Sequence, residues 1–115
     1  MLSLLFLGGN RLDWIQGMQN AINYMELHLL EPFNFDEIAK AAGSSTFHFM
    51  RMFNMLTGFT VGEYIRNRRL TLAGQELSLS DAKVVDIAFK YGYETHESFT
   101  KAFRQFHGIS PSAAR

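Results

Sequence analysis

Two sets of side chains in this sequence have the chemistry of recognition. Thr46, Phe47, Met50, Arg51 and Asn54 recur at helical spacing, and so do His96, Glu97, Thr100, Lys101 and Arg104. The guanidinium of Arg51 matches guanine O6 and N7 in bidentate fashion, and Phe47 or Met50 suits a thymine methyl group. A carboxylate such as Glu97 can accept from cytosine N4. His48 and His96 open their helices, where phosphate oxygens meet free backbone amides. Each has a blander reading. Arg51 would then be a solvated helix charge, and Phe47 and Met50 a patch covered by the N-terminal leader or a neighbouring molecule. No second ligand stands at metal-binding spacing from either histidine. No acid/base pair, nucleophile or phosphate loop stands out, so no catalytic residue, cofactor or metal is expected and the chain does not read as an enzyme.

Positioning these residues falls to a repeat. Glu37-Ile38-Ala39, Gly43, Phe49, Phe53, Gly58 and Thr60 return as Asp86-Ile87-Ala88, Gly92, Phe99, Phe103, Gly108 and Ser110. The offset is 49 positions up to the glycine and 50 after it, so one residue is inserted in the turn. Two copies are too few for a solenoid. Each copy reads as a short helix, a turn at glycine and a second helix ended by glycine. That is the helix-turn-helix pattern, whose second helix can enter a DNA major groove. Phe49, Met52, Phe53 and Leu56 would face inward in the first copy, and Phe99, Ala102, Phe103 and Phe106 in the second.

Between the copies runs a stretch that opens with Thr60-x-x-Glu63, a capping box, with Phe59 and Tyr64 placed for a hydrophobic staple. Its apolar residues follow two lines, Val61, Ile65 and Leu72 on one and Leu70, Ala73 and Leu77 on the other. A helix apolar on two sides must be covered on two sides. Arg66, Arg68 and Arg69 are expected to pair in part with acids such as Glu63. Residues 1–12 form a leader with no assigned role, 13–59 the first helix-turn-helix subdomain, 60–80 the bridging helix and 81–115 the second subdomain.

The other helix starts are marked locally. Asp13 is the expected cap of a first helix in which Trp14, Ile15, Met18, Ile22, Met25 and Leu29 face inward and Asn20, Asn23 and Glu26 outward. Asn34 caps the next, Ser44 or Ser45 the third and Asp81 the fifth. Ser110-Pro111 opens a last one, with cap followed by proline. That helix is cut short at Arg115, which suggests a C-terminus or an excised domain.

Composition agrees with a small helical protein. The 115 residues are 47% hydrophobic with 11 Phe and no Cys, which allows a packed core and points to a reducing compartment, hence the cytoplasm. No stretch approaches the roughly 18 apolar residues of a membrane span. Formal net charge is +0. Nucleic-acid-binding domains are usually basic, so a helical protein-interaction module with weak or lost DNA binding stands as the alternative.

Phe35-Asp36-Glu37-Ile38-Ala39, Tyr64-Ile65-x-x-Arg68-Arg69-Leu70, Asp86-Ile87-Ala88-x-x-x-Gly92-Tyr93, Phe99…Phe103 and Gly108-x-Ser110-Pro111…Arg115 together resemble the DNA-binding domain of the AraC/XylS family of bacterial transcription regulators. The resemblance covers Asp13 to Arg115. It implies an all-α fold of about seven helices, two helix-turn-helix subdomains joined by a long helix, with recognition helices in successive major grooves of double-stranded DNA. Carried over residue by residue, it implies DNA contacts from Phe47, His48, Met50 and Arg51 and from His96, Glu97, Ser98 and Lys101. It also implies RNA polymerase as a partner if the protein activates, and an effector domain, if any, outside this chain. The chain departs from the family at Ala114, where an aromatic usually precedes the final Arg, and at Glu97, a carboxylate set to face phosphates.

Overall fold

The computed structural model describes residues 11–115, so the leader expected over residues 1–12 lies almost wholly outside them. Among the described residues there are seven helices and no strand: α1 (Arg11–Leu27), α2 (Phe35–Ala41), α3 (Thr46–Thr57), α4 (Val61–Leu79), α5 (Val84–Lys90), α6 (His96–His107) and α7 (Pro111–Ala114). They group into two compact units. The first holds residues up to Leu29 with Phe33–Ile65; the second holds Leu30–Pro32 with Arg66–Arg115. Helix α4 belongs to both.

In the first unit Met25, Leu29, Ile38, Phe49, Met52, Phe53, Val61 and Ile65 are buried. The Phe53 ring meets Phe49 at 5.9 Å and the edge of Tyr64 at 5.7 Å. In the second unit Leu70, Ala73, Leu77, Ile87, Ala88, Tyr91, Phe99 and Phe103 form one cluster. Full burial of each such phenylalanine is worth about 1.5–3 kcal/mol, which makes the four repeated rings the main anchors of the two units.

The repeated Ile-Ala…Gly is a helix ending. Ser44 N–H donates to the Ala39 carbonyl and Gly43 N–H to that of Lys40; Tyr93 and Gly92 do the same to Ala88 and Phe89. These are the paired bonds of the Schellman motif, which requires a left-handed residue at the turn. Gly43 and Gly92 supply it with φ of 72° and 91°. The inserted residue falls after the turn: the cap of α3 is Ser45, two residues past Gly43, and that of α6 is Thr95, three past Gly92.

Local capping follows the sequence closely. Thr60 N–H donates to Glu63 Oε1 at 2.8 Å and Glu63 N–H to Thr60 Oγ1 at 3.0 Å, a reciprocal box. Asn34 and Ser110 also accept from the amides three residues on.

Several expectations fail where tertiary contacts intervene. Leu56 and Phe106 extend the inward stripes but are 49% and 40% exposed. Helices α2 and α5 have seven residues each, about 10 Å, and cannot cover the full ~18 Å of α3 or α6. Ile15 is exposed, and the supposedly outward Glu26 is half-buried and accepts from Tyr64 Oη at 2.8 Å. Phe59 stays half exposed while the Tyr64 ring packs on Phe53. Leu72 packs against the second cluster with Leu70, Ala73 and Leu77 instead of following Val61 and Ile65.

Asp13 lies inside the first turn of α1, where its charge still complements the helix dipole. Asp81 does not cap α5. That position falls to Lys83, whose side chain makes no capping bond. Ser80 Oγ instead donates to Glu76 O and accepts from Ala82 N–H, and Arg115 donates to Ala82 O, so the chain stays extended until Val84. Glu63 is engaged by its own cap, and Arg69 donates to the Glu31 carbonyl.

Candidate nucleic-acid interface

Helix α3 is held at its start by Ser45, whose Oγ accepts from His48 N–H at 3.3 Å, and by Thr46, whose hydroxyl donates to Asp36 Oδ1 at 2.6 Å. The second bond ties the recognition helix to the helix before it. With Phe49, Met52 and Phe53 buried, the helical period turns Phe47, His48 and Arg51 out to solvent. Met50 is half-buried, so it offers less surface than the other three. The Arg51 guanidinium carbon lies 5.8 Å from the centroid of the Phe47 ring, and the His48 ring meets Phe47 edge-on at 5.7 Å.

Helix α6 repeats the arrangement. Phe99 and Phe103 are buried, and His96, Glu97, Ser98 and Lys101 are exposed. Ser98 is bound into the cap: its amide donates to Thr95 Oγ1 and its hydroxyl to the Thr95 carbonyl, while the Thr95 hydroxyl donates to Ser98 Oγ. Its hydroxyl proton is therefore engaged, and what it offers a ligand is a lone pair. His96, Glu97, Thr100, Lys101, Arg104 and Gln105 line an open groove of about 500 Å³. Thr100 and Arg104 belong to the outward face expected from the sequence, and the one addition here is Gln105. Arg104 is one turn beyond Thr100 and two beyond Glu97, so its helical phase already marked it.

The turn that launches α6 is fixed from α4. A Cβ on Gly92 would stand 3.1 Å from Arg69 Nη1, so the guanidinium lies against the bare glycine face. Burial lowers the Arg69 pKa below its ordinary value, with Tyr93 opposing and Arg66 adding to the fall. Burial likewise raises that of Tyr93, against the charges of Arg66 and Arg69.

Charge placement resolves the neutral total. Helices α3 and α6 hold Arg51, Lys101 and Arg104 and a single acid, Glu97. The acids are concentrated elsewhere, so the two exposed faces are cationic on a chain of net charge +0. Among the described residues no group of three His, Cys, Asp or Glu could hold a metal ion, and no helix is long and apolar enough to cross a membrane.

Two capped helix-turn-helix units sharing one long helix define a class, the tandem helix-turn-helix domain. The family described as a helix-turn-helix domain matches residues 38–115. The regulatory protein SoxS of Salmonella typhimurium is 39% identical over 100 residues, 87% of this chain and 94% of that protein. A transcriptional regulator of Chromobacterium violaceum with an AraC-type DNA-binding domain superposes with a TM-score of 0.80 at 27% identity, covering 86% of this chain and 88% of that one. The DNA-binding domain of the global transcriptional factor AdpA, solved with a target DNA, gives 0.74 at 28% identity over 85% and 88%. The chain belongs to the AraC/XylS family of transcription regulators.

Proposed function

We propose that this chain binds double-stranded DNA sequence-specifically to regulate transcription, with α3 and α6 each in a major groove and the two grooves successive on one face. The observation that carries this reading is the pair of exposed helical faces, matched across the repeat, with three firm cations and one acid between them. Family membership and the likeness to a domain solved on its target DNA support it. Phe47, His48, Met50 and Arg51 act in the first groove, and His96, Glu97, Ser98 and Lys101 in the second. Arg51 reads guanine, and the imidazoles meet phosphates beside the helix amides. The protein works in the cytoplasm without a cofactor and is not an enzyme. RNA polymerase is a further partner if it activates, and an effector domain, if any, is supplied outside this chain.

Affinity is electrostatic but modest. With net charge +0 the phosphate contacts number about 4–7, so log K falls with log salt at a slope of roughly −4 to −6. Titration of duplex at several salt concentrations measures it. A flat response, or no binding at low salt, overturns the proposal in favour of a protein-interaction module.

A further inference from the structure

Phe47 and Arg51 stand one turn apart on the exposed side of α3, with the guanidinium carbon 5.8 Å from the ring centroid. That is within the range of a cation–π contact. The ring is 66% exposed, and the His48 ring meets it edge-on at 5.7 Å and 71°. Ring and guanidinium thus present one contiguous exposed surface on α3. Arg51 is steadied by a ring in place of an acid, so its N–H donors stay available to a ligand.

The stereochemistry of the major groove says what such a stack suits. A guanidinium bonded to guanine O6 and N7 lies near the plane of that base, with its flat faces open. The C5 position of the pyrimidine immediately 5′ projects into the groove beside that guanine edge. A methyl group there falls against the guanidinium face, and an aromatic ring packed on the same guanidinium closes over it. Phe is among the side chains that contact the thymine methyl.

We propose that α3 reads a two-base step, a 5-methylpyrimidine followed by guanine, with Arg51 on guanine O6 and N7 and Phe47 on the C5-methyl group. The proposal rests on the DNA-binding reading above and deepens it. Thymine and 5-methylcytosine are then equivalent at this position, and cytosine and uracil are disfavoured. Phe47 acts twice, as the methyl contact and as the support of Arg51.

The test begins with selection of duplexes from random sequence by the 115-residue chain, which should enrich a thymine–guanine step. In the selected duplex, replacing that thymine by deoxyuridine removes one methyl group and should weaken binding about fourfold, the worth of one buried methyl. Cytosine at the position should bind as weakly as uracil, and 5-methylcytosine should restore the affinity. Phe47→Ala, at an exposed site, should bind the thymine and uracil duplexes equally. Arg51→Ala should lose the preference for guanine. Equal binding of thymine and uracil duplexes by the parent protein, discrimination that survives Phe47→Ala, or selected sites without the step would each overturn the proposal while leaving DNA binding intact. Failure to bind any duplex would instead overturn the DNA-binding reading and this one with it.

Discussion

The imidazole of His107 lies against Gly74: a Cβ built there would stand 3.1 Å from both Cε1 and Nε2 of the ring. The same Nε2 is 2.8 Å from the Leu70 carbonyl oxygen, and the ring packs on Phe103 at 4.2 Å between centroids. The end of recognition helix α6 is thus seated on α4 through a glycine, a carbonyl and an imidazole, all within the second unit.

This seat predicts a coupling. In a helix interior Gly→Ala gains about 1 kcal/mol from propensity. Here the new methyl must push His107 off a hydrogen bond worth about 0.5–1.5 kcal/mol. Gly74→Ala alone should therefore leave stability unchanged or slightly lowered, whereas in a His107→Ala background it should stabilise by about 1 kcal/mol. Urea denaturation of the four proteins in the cycle measures the difference, and strict additivity would show that the contact carries no energy.

A second prediction concerns pH. The Glu76 carboxylate accepts from Lys90 Nζ at 2.9 Å and from Tyr91 Oη at 2.9 Å. The Lys90 hydrogen bond, joined by that of Tyr91 and opposed by partial burial, holds the Glu76 carboxyl below its ordinary value of 4.5. A depressed folded pKa contributes stability that is complete above the unfolded value and is lost as pH falls through the folded one. Burial first, then the bond and charge of Glu76, push the Tyr91 hydroxyl from 10.0 up to about 12. That contribution is complete below pH 10 and is lost as pH rises toward 12. Glu76→Gln should flatten the acid limb of the stability profile, and Tyr91→Phe the alkaline limb. Thermal melts across pH follow both.

Glu97 is exposed in the first turn of α6, where the helix dipole favours a carboxylate by about 0.3–1 kcal/mol. Against DNA it faces phosphates unless it accepts from cytosine N4. Glu97→Gln keeps the shape and removes the charge. The expected outcome is a loss of discrimination at one base pair, roughly 1–3 kcal/mol, with tighter binding to random duplex. A uniform gain on every duplex would mean the carboxylate only repels. No change on either would place Glu97 away from the DNA.

The repeat and the shared helix predict a spacing rule for the operator. Half-sites read on one face lie a helical turn apart, so about five inserted base pairs should abolish specific binding. Gel shifts with the spaced and parent sites decide it. Equal affinity would mean that the two units bind independently.

What the sequence determined by itself is what neighbours along the chain decide. The Thr60–Glu63 box, the Asn34, Ser45 and Ser110 caps and the glycines at 43 and 92 work through bonds spanning a few residues, so their spacing announces them. The repeated phenylalanines were equally legible, because a helical period of 3.6 sends Phe49 and Phe53, or Phe99 and Phe103, to one face. That same period turned Arg51, His96, Glu97 and Lys101 outward. The tertiary structure decided which part of each stripe has something to pack against. Leu56 and Phe106 share the phase of buried neighbours yet remain exposed, since phase is local and cover is not. Glu26 and Tyr64 meet across 38 positions, as do Arg69 and the Glu31 carbonyl, and Arg115 reaches Leu77 across the same interval. Such partners are chosen by where helices pack, and a carbonyl oxygen, present at every residue, leaves no mark in the sequence to announce that it will be the acceptor.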